Sequence, residues 1–159
     1  MSNGDNPWTY NELSVELSMS PSEVHASAKR ALAAKFAIKV DSVIKVNIRN
    51  LTEFLSCCIQ YVFIPERGSL SRGMPTAYAA FPMNKEFVMG NEPPPVWPDP
   101  EGAVRGESFS PLYKSVPKAA KKDPVLYELL TLVDALRGGK AREKDFAKKE
   151  IVKRLKLYG

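Results

Sequence analysis

The stretch Asn11–Leu32, NELSVELSMSPSEVHASAKRAL, contains two short helical patterns with a break near Ser18. Ser20 is a good helix cap, because its side-chain oxygen can accept a hydrogen bond from a free backbone N–H of the first turn. Pro21 suits the first helical position, where no N–H donor is needed, and Glu23 completes a capping box. The stretch therefore predicts two consecutive helices joined by a tight turn, the second of which begins at Pro21.

Each of the two helices has one apolar side. Thr9 and Glu12 open the first helix with another capping box, and Leu13 and Leu17 follow on one face, four residues apart. The apolar side of the second helix is a stripe at four-residue spacing, formed by Val24, Ala28 and Leu32. These stripes predict that the two helices pack against a common core.

The outer side of the second helix is short, polar and basic. Side chains of this kind near the start of a helix can approach base edges and phosphates in a DNA groove without steric conflict. The free amides at a helix N-terminus, where Ser20 lies, can also hold a phosphate. We therefore predict a recognition helix at residues 21–34, with Ser20, Ser22, His25, Lys29 and Arg30 on DNA. The alternative is an ordinary helical corner with a good cap.

Downstream, Asn47 is the expected cap of a third helix that ends near Ile59. Tyr61–Ile64 is aromatic and β-branched and therefore strand-like, and residues 76–81 form a second extended piece. Prolines and glycines between them indicate a loop. We predict a hairpin wing at residues 63–81, whose Arg67 and Arg72 contact the DNA backbone or the minor groove. The alternative is a solvated hairpin in which Arg67 pairs with Glu66.

The second half of the chain opens with a proline-rich connector, residues 82–111, which includes NEPPPVWPDPEG. Its prolines are incompatible with regular helix, and Trp97 indicates that the connector packs on the body of the protein. Residues 112–159 then predict an antiparallel helical pair, interrupted at Gly138. The first helix of that pair has a broad apolar face, which we predict to be a dimerisation surface: Leu126, Leu129, Leu130, Val133 and Leu136.

The net charge of +5 is unevenly distributed along the 159 residues. Residues 114–159 carry 13 lysines and arginines against 6 acidic residues, whereas residues 1–113 carry 10 against 12. A basic half favours nucleic acid or another acidic partner. A lysine-rich helix face that is simply solvated would have the same composition.

Several functional classes are not expected from this sequence. His25 is the sole histidine, so a Cys/His or Ser/His pair has no second histidine to draw on, and no metal-ligand spacing or phosphate-binding loop is present. We therefore expect no enzyme, no cofactor and no metal. No apolar run reaches 18 residues, so no membrane span is expected. Cys57 and Cys58 are adjacent and have no other partner, which favours a reduced, cytoplasmic setting.

The segment YNELSVELSMSPSEVHASAKRAL resembles the helix–turn–helix of bacterial winged-helix transcriptional regulators of the MarR-like kind, and YVFIPERGSLSRGMPTAYA resembles the wing region of a small group of them. The resemblance covers residues 8–81 and implies a dimeric DNA-binding repressor, in some members controlled by a small molecule or a partner protein. MarR-like proteins begin with a dimerisation helix, whereas about eight residues precede the first helix here. Dimerisation is therefore expected from the C-terminal helices, and the usual ligand pocket of the family is not carried over.

The predicted fold is mainly α with a small β-hairpin wing. A disordered lead at residues 1–7 precedes a winged helix–turn–helix at residues 8–81, a connector at 82–111 and a C-terminal helical hairpin at 112–159. The predicted function is a homodimeric, sequence-specific regulator of transcription, which binds double-stranded DNA and acts as a repressor. The alternative is an antitoxin or a protein-interaction module that docks an acidic protein partner through the basic C-terminal helices.

Overall fold

The computed structural model describes residues 8–158, and the predicted disordered lead, residues 1–7, lies outside them. Helix α1, Tyr10–Leu17, starts with the predicted capping box: Thr9 and Glu12 each accept a backbone N–H from the other. Helix α2, Pro21–Ala33, starts where Ser20 accepts the N–H of Glu23 at 3.2 Å. The Glu23 carboxylate does not close the second box, because it accepts a hydrogen bond from Arg30 instead.

An unpredicted β-hairpin directly follows α2. Strand β1, Ala37–Val40, pairs antiparallel with β2, Val43–Val46, and Val40 lies opposite Val43. The two-residue connection, Asp41 and Ser42, has φ values of 47° and 69°. Two consecutive left-handed residues make a type I′ turn, whose twist matches that of the strands it joins.

The hairpin predicted at residues 63–81 is wrong. The first two residues of its predicted first strand, Tyr61 and Val62, belong instead to a short helix α4, Ile59–Val62, which follows helix α3, Ile48–Cys57, and is anchored in the core by Ile59. The predicted loop is a single strand, β3, Arg67–Pro75, and residues 77–79 form a turn of 3₁₀-helix. Strand propensity depends on burial and neighbours, so tertiary packing overrode the local preference of residues 61–64.

The partners of β3 come from the proline-rich segment. Strand β4, Pro95–Pro98, pairs antiparallel with β3, and strand β5, Val104–Phe109, pairs with both, so the three strands form a small closed sheet. Trp97 is 1% exposed, which confirms that this segment packs on the body. Gly73 permits the close approach of β3 and β4, because a Cβ there would lie 2.1 Å from the carbonyl oxygen of Trp97.

The C-terminal helical hairpin is confirmed. Helix α5, Val116–Lys122, leads into α6, Pro124–Gly138, which packs against α7, Ala141–Leu155. Asp123 caps α6 by accepting the N–H groups of Val125 and Leu126. Over residues 8–158 the fold is a mixture of seven α-helices and two small sheets, so it contains more β-structure than predicted. Across the same residues, none of the helices has the length and apolar character needed to cross a bilayer.

A buried ion pair joins α6 to the closed sheet. Asp134, which is 1% exposed, accepts hydrogen bonds from Thr76 Oγ1 and Trp97 Nε1 at 2.7 Å each, and from Arg137 Nη1 at 2.6 Å. Arg137 also donates to the carbonyl oxygens of Phe63 and Ser110. Burial raises the pKa of Asp134, while Arg137 and the three donated hydrogen bonds oppose that rise. The network connects α4, β3, β4 and α6 at one point.

Candidate nucleic-acid interface

The N-terminus of α2 carries two of the predicted DNA-contacting side chains. The hydroxyl groups of Ser20 and Ser22 lie 3.1 Å apart, and both residues are exposed. Ser20 Oγ is already occupied as the helix cap, which leaves Ser22 at the solvent-facing start of the helix. The buried residue of α2 is Val24, on the opposite side, so the helix presents its polar face outward as predicted.

The other three predicted DNA-contacting side chains of α2 differ in whether they already contact another residue. The ring of His25 packs edge-on against Tyr10 of α1, with the ring centroids 4.9 Å apart. Arg30 donates hydrogen bonds to Glu23 at 2.7 Å and to Ser27 at 2.8 Å, although its side chain is 65% exposed. Lys29 is exposed and takes part in no ion pair among residues 8–158. Lys29 is therefore the most readily available cation of this face.

The turn between α1 and α2 is contacted by a lysine of α5. Ser18 has a left-handed backbone, with φ 52° and ψ 41°, and its N–H caps α1. Lys122 of α5 donates from Nζ to the carbonyl oxygen of Val15 at 2.5 Å and to Ser18 Oγ at 2.8 Å. These two contacts tie the C-terminal end of α1 to α5.

The β1–β2 hairpin and the residues that flank it carry four exposed cations. Lys39 and Lys45 lie on the two strands of the hairpin, and Lys35 and Arg49 flank it on either side. These residues were not among the predicted DNA contacts, although the sequence contains a signal for the hairpin. AIKV-DS-VIKV is two β-branched runs separated by two turn-forming residues, which is the pattern of a tight hairpin.

Arg67 and Arg72 do not lie on a hairpin tip, because β3 is a strand of the closed sheet. Arg67 pairs with Glu107 at 3.1 Å rather than with Glu66, and it also donates to the carbonyl oxygen of Gly138 at 2.9 Å. Its guanidinium stacks over the ring of Phe109. Arg72 is exposed opposite Arg105 of β5. The structure therefore gives Arg67 a structural role and removes both arginines from the predicted wing.

The predicted dimerisation face lies largely in the chain's own core. Val133 is 6% exposed and Leu136 is 4% exposed, and Leu129 packs against the same hydrophobic cluster. Leu130 packs against a second cluster around Trp97, and Leu126 is half-buried. Val133 and Leu136 are therefore not available to a second chain, whereas Leu126, Leu129 and Leu130 keep part of their surface exposed. For the two buried residues the prediction is wrong, because periodicity identifies a buried face without identifying what covers it.

A cleft of about 950 Å³ lies beside the start of β3 and the loop between α6 and α7. Tyr78 lines it together with three carboxylates, those of Glu92, Glu107 and Glu143. Partial burial raises the pKa of Tyr78, and the negative charges of these carboxylates raise it further. Arg67 and Lys140 also line the cleft, so its three carboxylates face two cations, and the charge of Arg67 opposes the rise in the pKa of Tyr78.

No known protein family, characterised protein or solved structure shows significant similarity to this chain.

Proposed function

We propose that this protein is a bacterial cytoplasmic regulator of transcription, which binds double-stranded DNA through a winged helix–turn–helix. The observation that carries the proposal is the order helix, three-residue turn, helix, two-residue-turn hairpin within residues 10–46, with exposed cations on both α2 and the hairpin. In DNA-binding modules with this order, the second helix lies in the major groove. The hairpin of residues 37–46 takes the place of the wing predicted at residues 63–81.

In the proposed complex, α2 lies along the major groove. Its 13 residues span about 20 Å, which is enough to follow the groove over several base pairs. Ser22 and Lys29 approach base edges or nearby phosphates, and the contact with Tyr10 orients the imidazole of His25. Arg30 exchanges its contact with Glu23 for a phosphate. A regulator bound in this way represses transcription by occupying the promoter.

The hairpin contacts the backbone beside the groove in this arrangement. Lys39 and Lys45 are exposed but lie on opposite faces of the hairpin, because Lys39 is paired with Ile44 and Lys45 with Ile38. Lys45 lies on the face away from the buried Ala37, and the side chain of a lysine holds a phosphate as a flexible point charge. Such contacts fix the position of the protein on the duplex without reading its sequence. Binding is therefore expected to weaken steeply as the salt concentration rises.

The proposal is tested by replacing Lys29 with alanine and measuring the affinity for the DNA upstream of the protein's own gene. We expect Lys29→Ala to weaken binding by about fivefold, since removing one charged interaction costs about 1 kcal/mol, and to lower the salt slope by about 1. Lys118→Ala removes another exposed lysine, from α5, and serves as the matched control. Equal affinities of Lys29→Ala and the unmodified protein at low salt would contradict the proposal.

A further inference from the structure

Nine of the 13 basic residues in the C-terminal region, residues 114–159, fall into two groups in the structure. The first group is occupied within the fold: Lys121 pairs with Asp99 and Glu101, Arg154 pairs with Glu128 and Glu150, and Arg137 is buried against Asp134. Lys122 and Lys144 are also bound, to Val15 and Ser18 and to Gln60, respectively. The excess of positive charge that the sequence shows is therefore not one uniform surface.

The second group is a set of lysines on and just after α7, which we call the lysine face: Lys148, Lys149, Lys153 and Lys156. All four are exposed, and no ion pair within residues 8–158 involves any of them. They line one shallow concavity of about 660 Å³ together with Val152 and a single carboxylate, Asp145. Four unpaired ammonium groups around one depression repel one another, and an anionic partner relieves that repulsion.

The spacing of three of these lysines follows one line along the helix. Lys149, Lys153 and Lys156 are separated by four and three residues, so they lie on the same side of the helix. At 1.5 Å per residue the line is about 10 Å long. A row of point charges of this length can contact about three successive phosphates of one strand, because these follow one another roughly every 3.4 Å along the duplex axis.

The chemistry of the lysine face favours a phosphate backbone over an acidic protein surface. The concavity contains no aromatic side chain and no arginine, the residue types that dominate binding energy at protein interfaces, whereas lysine is depleted there. Lysine side chains are mobile, strongly hydrated cations, and they suit contacts that do not depend on sequence. We propose that the lysine face is a second DNA-binding surface, which holds the phosphate backbone of duplex DNA without reading its bases.

This inference rests on the proposed function only in taking duplex DNA as the ligand. The two surfaces have different tasks: α2 discriminates between sequences, and the lysine face supplies affinity that is sequence-independent and sensitive to salt. The triple variant Lys149→Gln, Lys153→Gln, Lys156→Gln removes its charges, and the fold is expected to be retained because all three side chains are exposed.

The test measures binding to a random-sequence duplex by fluorescence anisotropy over a series of salt concentrations. For the triple variant we expect the slope of log affinity against log salt to fall by about 2.7, because each phosphate that a lysine no longer neutralises lowers the slope by about 0.9. The matched control, Lys85→Gln, Lys114→Gln, Lys118→Gln, makes the same change in net charge at exposed positions and should keep most of the slope. An unchanged slope in the lysine-face variant, or an equal fall in the control, would overturn the proposal.

Measuring Lys29→Ala in the same assay tests the proposal for α2 separately from the proposal for the lysine face. If Lys29→Ala alone weakens binding, the lysine face is not a DNA-binding surface and the α2 proposal stands. If the lysine-face variant alone weakens binding, the lysine face is a DNA-binding surface and the proposed role of α2 is wrong. A lysine-face variant that loses binding to polyglutamate while keeping the wild-type salt slope on duplex would identify an acidic protein as the partner, and the inference would be wrong.

Discussion

Replacement of Asp134 with alanine is expected to destabilise the fold by about 4 kcal/mol, because it leaves the charge of Arg137 buried without its partner. The side chains of the two residues are 2% and 3% exposed, so water cannot replace the missing carboxylate. The change also removes the acceptor of Trp97 Nε1 and of Thr76 Oγ1, both of which lie 2.7 Å from Asp134 Oδ2. For a chain of this size, about 4 kcal/mol corresponds to a fall in Tm of roughly 8–16 °C.

The assay is urea unfolding followed by tryptophan fluorescence, with Trp97 as a reporter inside the network. Asp134→Asn keeps the shape and one acceptor, so it should cost less than Asp134→Ala. The double variant Asp134→Leu, Arg137→Met removes both charges together, and we expect it to be more stable than Asp134→Ala. It will still lose the bonds that Arg137 donates to Phe63 and Ser110. A double variant less stable than Asp134→Ala would refute the view that an unpaired buried charge dominates the cost.

Two further predictions concern backbone strain and pH. Ser42→Gly should stabilise the protein by roughly 0.5–1 kcal/mol in urea unfolding, because Ser42 has φ 69° in the hairpin turn and glycine adopts that conformation without strain; a loss of stability would argue against the type I′ turn. Tyr127 donates to the carbonyl oxygen of Pro75 at 2.6 Å, and burial raises its pKa to about 12. A raised folded-state pKa stabilises the fold at low pH, so this contribution is present below pH 10 and is lost between pH 10 and about 12. Tyrosinate absorbance should show a late titration step that Tyr127→Phe abolishes.

The helix boundaries were the part of the fold that sequence reasoning predicted best. The starts of α1, α2, α3 and α6 coincide with Thr9, Ser20, Asn47 and Asp123, each of which accepts a backbone N–H of the first turn. These hydrogen bonds span two or three residues, so the information is contained in a short stretch of chain. The hairpin of residues 37–46 carries an equally local signal and could have been predicted in the same way.

Part of the candidate DNA-binding surface, the polar face of α2, was also predicted from a local sequence pattern. The outward orientation of Ser22 and Lys29 follows from the helical period and from the apolar stripe around Val24. The contact of His25 with Tyr10 and the pairing of Arg30 with Glu23 could not be read from composition. Both depend on rotamers chosen in the folded structure.

The sequence by itself determined where α1, α2, α3 and α6 start, where the turn between α1 and α2 lies and which helix faces are apolar, because each of these rests on contacts between near neighbours. Only the tertiary structure decided which elements pack against those faces. It paired β3 with strands about 30 residues downstream, buried Val133 and Leu136 within the chain, and placed Asp134 beside Trp97. It also separated the occupied cations of the C-terminal region from the lysine face. Such choices depend on contacts between residues far apart in the chain, whose energies are comparable for many alternative partners until the whole core is packed.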